Sequence, residues 1–125
     1  MKKRILFILL MFIAVIGLTG CGNNATELKQ DEFYKAIESN VDEANKTYLN
    51  KTYKITGTVN LVENSDIRIY GRGNLQFKIE FKNKEDFSNL KSGDTVEVVG
   101  KITEIIKVDN KPTTIVVKNS KFANK

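Results

Sequence analysis

Arg68, Tyr70 and Arg72 stand at alternate positions, and Gln76 and Lys78 follow them across a Gly71-Arg72-Gly73-Asn74 turn. A row of this kind can stack a sugar or base on the phenol and hydrogen-bond an anionic group through its guanidinium groups. Little else in the chain is equipped to react. Its 125 residues include no His and a single Cys, which excludes a His-dependent triad, a Cys-His pair and a Cys/His zinc site. Asp42-Glu43 and Glu85-Asp86 are neighbours in sequence rather than carboxylates fixed across a cleft, and they read as solvated surface. Gly71-x-Gly73 and Gly20-x-Gly22 lack the strand-then-helix context of a phosphate loop. No run of spaced Asp or Asn supplies a calcium loop either. The expectation is a protein that is not an enzyme and holds no metal or dissociable cofactor, with Arg68, Tyr70, Arg72, Gln76 and Lys78 as its candidate ligand-binding face.

The single Cys has a different use. Lys2, Lys3 and Arg4 precede an unbroken apolar run from Ile5 to Leu18, and Thr19, Gly20 and Cys21 follow. A membrane-crossing helix needs about 20 apolar residues for a hydrocarbon core of roughly 30 Å. The run is therefore too short for a permanent span and has the layout of an export signal, with the basic cluster held in the cytoplasm and the rest of the chain sent out. Leu18-Thr19-Gly20-Cys21 resembles the bacterial lipobox. That resemblance implies cleavage between Gly20 and Cys21, with diacylglycerol on the Cys21 thiol and N-acylation in the fullest form, palmitate being among the acyl chains. Two or more chains anchor stably where one is marginal. The expected location is the cell membrane, lipid-anchored and facing outside the cytoplasm. Removing Lys2, Lys3 and Arg4 leaves 17 basic residues against 15 acidic ones. The basic footprint that would point to nucleic acid thus shrinks to +2.

The elements that must carry the face follow from periodicity. Residues 21–30 are polar and without a period, the composition of a lipidated tether. Phe33, Ile37, Val41, Ala44 and Tyr48 then recur at helical steps, predicting one amphipathic helix over residues 31–48 with Asp31 and Glu32 in its first turn. Its polar side mixes acids with lysines, which suits packing on a β domain better than lying on lipid. Beyond Asn50 the period falls to two. Tyr53, Ile55, Val59 and Leu61 mark a first strand bent at Gly57, and Ile67 and Ile69 a second. Leu75, Phe77, Ile79 and Phe81 mark a third. Residues 82–92 break the alternation and predict a short helical or irregular cover. Val96 to Val108 form a fourth strand through Gly100, and Ile115 to Val117 a fifth. Five strands in about 70 residues are too few for a sandwich, and closing them into a barrel removes their open edges. The fold class expected is mainly β (α+β): a five-stranded OB-fold barrel over residues 49–120 with an N-terminal amphipathic helix, and residues 121–125 as a C-terminal tail.

Asn40, Ala44, Tyr48 and Lys51 run directly into Tyr53-Lys54-Ile55-Thr56-Gly57-Thr58-Val59, and Leu90-Lys91-Ser92-Gly93-Asp94-Thr95-Val96 leads into Gly100-Lys101-Ile102. In this spacing residues 33–120 resemble the tRNA-anti-like OB-fold family, many of whose members are small bacterial lipoproteins. The resemblance implies the barrel and brings no reaction with it, since fold alone does not fix function. Three readings follow. One is a membrane-tethered binding module for an envelope glycan, anionic polymer or small molecule. Another is an interaction protein or accessory subunit that docks an envelope protein. Oligonucleotide binding ranks third, because the face offers a single aromatic where nucleic acid barrels usually present several. The processing step is open to a direct check: Cys21→Ser should accumulate as an unlipidated precursor, whereas normal fatty-acid labelling of that variant would defeat the lipobox assignment.

Overall fold

In the computed structural model the described residues are 25–123. Residues 1–20, expected as an export segment, and Cys21 lie outside them. The strands form where the alternation places them: β2 (Lys51–Val62), β3 (Asp66–Tyr70), β4 (Gln76–Phe81), β5 (Thr95–Val108) and β6 (Lys111–Phe122). They are joined in the order β2-β3-β4-β6-β5, and β5 returns to pair with β2, which closes the barrel. Its pairs are antiparallel except β4 with β6. This is the five-stranded OB-fold. Ile55, Val59, Ile67, Ile69, Phe77, Ile79, Val98, Ile102, Ile115 and Val117 point inward and are fully buried, so the alternation of each strand resolves into one shared core.

Closure demands close approaches where strands cross. At Gly57 a Cβ would collide with Ile69 Cγ2. At Gly100 it would collide with Ser120 Oγ and lie 2.6 Å from Val117 Cγ1, a stiff β-branched neighbour. The β5–β6 register shifts at Gly100, between Val99 and Lys101. In β2 the shift comes later, between Val59 and Leu61. Gly57 is needed there for the approach of Ile69.

The N-terminal region departs from the expected boundaries in two ways. The single helix expected over residues 31–48 is two, α1 (Gln30–Ser39) and α2 (Val41–Tyr48). Asn40 between them is extended, and its side-chain oxygen accepts from the backbone N–H groups of Asp42 and Glu43 at 3.0 and 3.2 Å. A capping Asn competes with helix continuation, while the apolar stripe carries across the break. Phe33 stacks on Phe77 with ring centroids 6.1 Å apart and meets Tyr48 edge-on at 4.7 Å. Phe33 and Ile37 are buried against the barrel.

The second departure concerns the stretch expected as tether. Thr26–Glu27 forms a short strand, β1, parallel to β2 at Tyr53 and Lys54. Leu28 is buried and donates its N–H to Lys54 O at 2.9 Å. The physical reason lies in β2, which pairs with β3 only from Val59 onward. Its earlier edge would otherwise leave backbone groups open. At the other end, β6 runs to Phe122, so residues 121 and 122 are strand rather than tail. Phe122 packs with Phe81 and Phe87, at 4.8 and 6.4 Å between centroids. Residues 82–92 are irregular, pinned by Phe87 and Leu90.

Gly100→Ala is expected to destabilise the domain by about 1–3 kcal/mol, the usual cost of forcing volume into a packed core. A lowered urea midpoint with an unchanged m-value is the readout.

Candidate ligand-binding face

Because Ile67, Ile69, Phe77 and Ile79 fill the barrel, their even-numbered neighbours point out. Register sets Arg68 directly opposite Lys78 and Tyr70 directly opposite Gln76. Arg68 also faces Leu61 of β2. The structure thus gathers four of the expected residues, Arg68, Tyr70, Gln76 and Lys78, on one outer surface and adds Leu61. Tyr70 is 54% exposed and Leu61 49%; Leu61 stands opposite Arg68, with Tyr70 two residues beyond Arg68 along β3. Leu61 was expected to point inward with Val59. The register shift between the two turns it out, because one extra residue exchanges the faces of a strand. No spacing signal in the sequence marks that shift.

The charges on this surface are matched. Arg68 Nε lies 3.5 Å from Glu63 Oε1 and 3.8 Å from Asp66 Oδ2. Lys78 Nζ lies 4.0 Å from Glu80 Oε2. Such pairs contribute little to stability at a surface, but they cancel the positive potential that a polyanion would need.

Arg72 is held elsewhere. It was expected on the face, but its Nη2 binds Asp31 Oδ1 at 3.0 Å and its Nη1 lies 3.7 Å from Glu38 Oε2. Its guanidinium carbon sits 5.1 Å from the centre of the Tyr34 ring, within cation–π range. The β3–β4 turn is a tight one, with Gly71 N–H donating to Leu75 O at 2.9 Å and Gly73 at φ 60°. That turn presents Arg72 to α1. The contact continues inward: Tyr34 donates its hydroxyl hydrogen to Gln30 Oε1 at 3.2 Å, and Gln30 Nε2 donates to Thr56 O at 2.8 Å. Arg72 therefore joins the helix to the barrel.

Burial raises the ionisation point of Tyr34, with Arg72 opposing the rise and Asp31 adding to it. Burial also raises Tyr48, helped by Glu32, and Tyr53, helped by Tyr48. Among the described residues no three His, Cys, Asp or Glu side chains converge as a metal site, and no helix is long and apolar enough to cross a membrane.

A crystal structure described as a "putative nucleic acid-binding lipoprotein" from Klebsiella pneumoniae superposes with a TM-score of 0.58 over 79% of this chain and 92% of its own, at 16% identity. Replication protein A of U. maydis bound to ssDNA gives a TM-score of 0.43 over 78% and 72%, at 14% identity. The likeness to the Klebsiella structure is one of fold. No family model and no curated protein matches the chain.

The tyrosines set a pH dependence. A tyrosine whose ionisation is raised in the folded state holds its proton longer there than in the unfolded chain. Its stabilisation is complete below the ordinary value of 10.0 and is lost as pH climbs past it towards the folded-state value. Urea midpoints taken on either side of that value should fall with rising pH, and the fall should be shallower in Tyr34→Phe. An equal fall in both proteins would refute the assignment to Tyr34.

Proposed function

We propose that this protein is a lipid-anchored, non-catalytic OB-fold binding module displayed outside the cytoplasm, of the tRNA-anti-like kind, whose β3–β4 face takes an extended envelope glycan. The observation that carries this reading is the exposed Tyr70, with exposed Leu61 on the same surface, set beside charges that are already neutralised. Such a surface suits a ring stacked on the phenol with its hydroxyls hydrogen-bonded by Gln76 and the charged rim. It suits a polyphosphate less well, because phosphate binding draws on unmatched cations that release counterions. OB-folds are known to take both oligosaccharides and oligonucleotides on this face. The anchor itself is supported by the Leu18–Cys21 pattern and the short apolar run before it.

Nucleic acid is the second reading, favoured by the printed description of the Klebsiella protein. The two separate on one pair of titrations, with soluble peptidoglycan glycan strands and with a single-stranded oligodeoxythymidine as probes. Tyr70→Ala should weaken glycan-strand binding about tenfold or more, the scale of one lost stacking partner. Glycan binding should also be nearly indifferent to salt. Binding of the oligonucleotide alone, with a steep salt slope, would replace the glycan reading. Binding of neither probe would leave docking of an envelope protein as the function of this domain.

A further inference from the structure

The β5–β6 hairpin outruns the barrel. β5 pairs with β2 only as far as Ile102, and β6 pairs with β4 only from Thr114 onward, yet β5 and β6 stay paired to Val108 and Lys111. Asp109 and Asn110 close this arm with φ of 52° and 65°, a conformation these two residue types tolerate. Facing the arm is the elbow where Asn40 breaks the helical run. Between elbow and arm lies a cleft of about 480 Å³. Its two walls carry opposite charges, Glu38 and Asp42 on the elbow and Lys107 and Lys111 on the arm. Among the described residues no ion pair crosses from one wall to the other; Glu38 is paired with Arg72 instead, at 3.7 Å. Ile37, Val41 and Pro112 add apolar surface to the lining.

The cleft borders the β3–β4 face. Gln76 of that face stands opposite Thr114 of β6, and Pro112 of the cleft follows roughly 7 Å along the strand. From the other side, Arg72 stands two residues beyond Tyr70 and reaches Glu38 at the cleft wall. A ligand lying across Tyr70 and Gln76 would therefore have the cleft beside it. The charge pattern selects the occupant. A neutral sugar has no use for four charged side chains, a polyanion is repelled by Glu38 and Asp42, and a polycation is repelled by Lys107 and Lys111. A short peptide bearing both ammonium and carboxylate groups meets an opposite charge on each wall.

We propose that the cleft between elbow and arm takes the short, mixed-charge peptide branch of a peptidoglycan strand whose glycan lies on the β3–β4 face. Ammonium groups of the branch meet Glu38 and Asp42, and its carboxylates meet Lys107 and Lys111. This deepens the glycan reading above and rests on it.

The test titrates the full chain, in detergent micelles, with two probes: soluble peptidoglycan strands that carry their peptides, and the same strands stripped of peptides by an amidase. The wild-type protein should bind the peptide-bearing strands about tenfold more tightly, the scale of one hydrogen bond to a charged group. Lys107→Gln combined with Lys111→Gln should lose that preference while binding stripped strands as before, and so should Asp42→Asn. The three side chains are exposed, so these variants keep the fold. Tyr70→Ala should weaken both probes by the same factor, because separate sites contribute additively. The preference should shrink in ~1 M salt, where charges are screened beyond about 3 Å. Equal affinity of the wild-type protein for the two probes, or a preference that survives in either charge variant, overturns the cleft assignment and leaves the glycan reading standing. Binding of neither probe overturns the glycan reading, and the cleft assignment falls with it.

Discussion

The uncovered edge of β2 is the constraint to which the rest of the molecule answers. One strand of twelve residues serves two partners, β5 along its first part and β3 along its last. A stretch of backbone on the β3 side is left without a neighbour. The protein fills it with its own N-terminal segment: β1 adds two residues, Leu28 donates to Lys54 O, and the Gln30 side chain reaches Thr56 O. From that docked segment α1 starts in a fixed place, and its Phe33 and Ile37 can settle on the barrel. The helices, the Arg72 clamp and the entry point of the chain are all consequences of finishing one strand.

The barrel was legible because each strand alternates cleanly and because turn residues separate the strands. The first cover residues, Phe87 and Leu90, were legible as lone apolar positions in a polar stretch. Three features were not, each for a local reason. The Asn40 break leaves the helical stripe in phase, so periodicity passes over it. The β2 register shift inverts Leu61 without altering its composition. Residues 26–30 carry too few apolar side chains to announce a strand, because their docking depends on backbone groups of β2. Sequence patterns report which side chains want burial. They do not report which carbonyls lack a donor.

The candidate face shows the same division. The positions of Arg68, Tyr70, Gln76 and Lys78 on one surface followed from alternation. Their electrostatics did not, because alternation puts Asp66 beside Arg68 and Glu80 beside Lys78 without fixing the side-chain distances, and Glu63 reaches Arg68 only once β2 and β3 turn back on each other. The two arginines that looked equivalent in sequence do different things: Arg68 sits among carboxylates of its own hairpin, and Arg72 is drawn over Tyr34 to the acids of α1. A face that reads as cationic from composition is close to neutral in the folded protein.

The two-residue length of β1 has a mechanical consequence. Any pull applied at the N-terminal end of the chain enters the domain through this short parallel pairing and the few hydrogen bonds around it. The closed barrel behind is tied by four antiparallel ladders and a parallel one. Under such a load the pairing of β1 peels first, freeing several residues while the barrel keeps its shape. The segment that finishes the sheet is also its shock absorber.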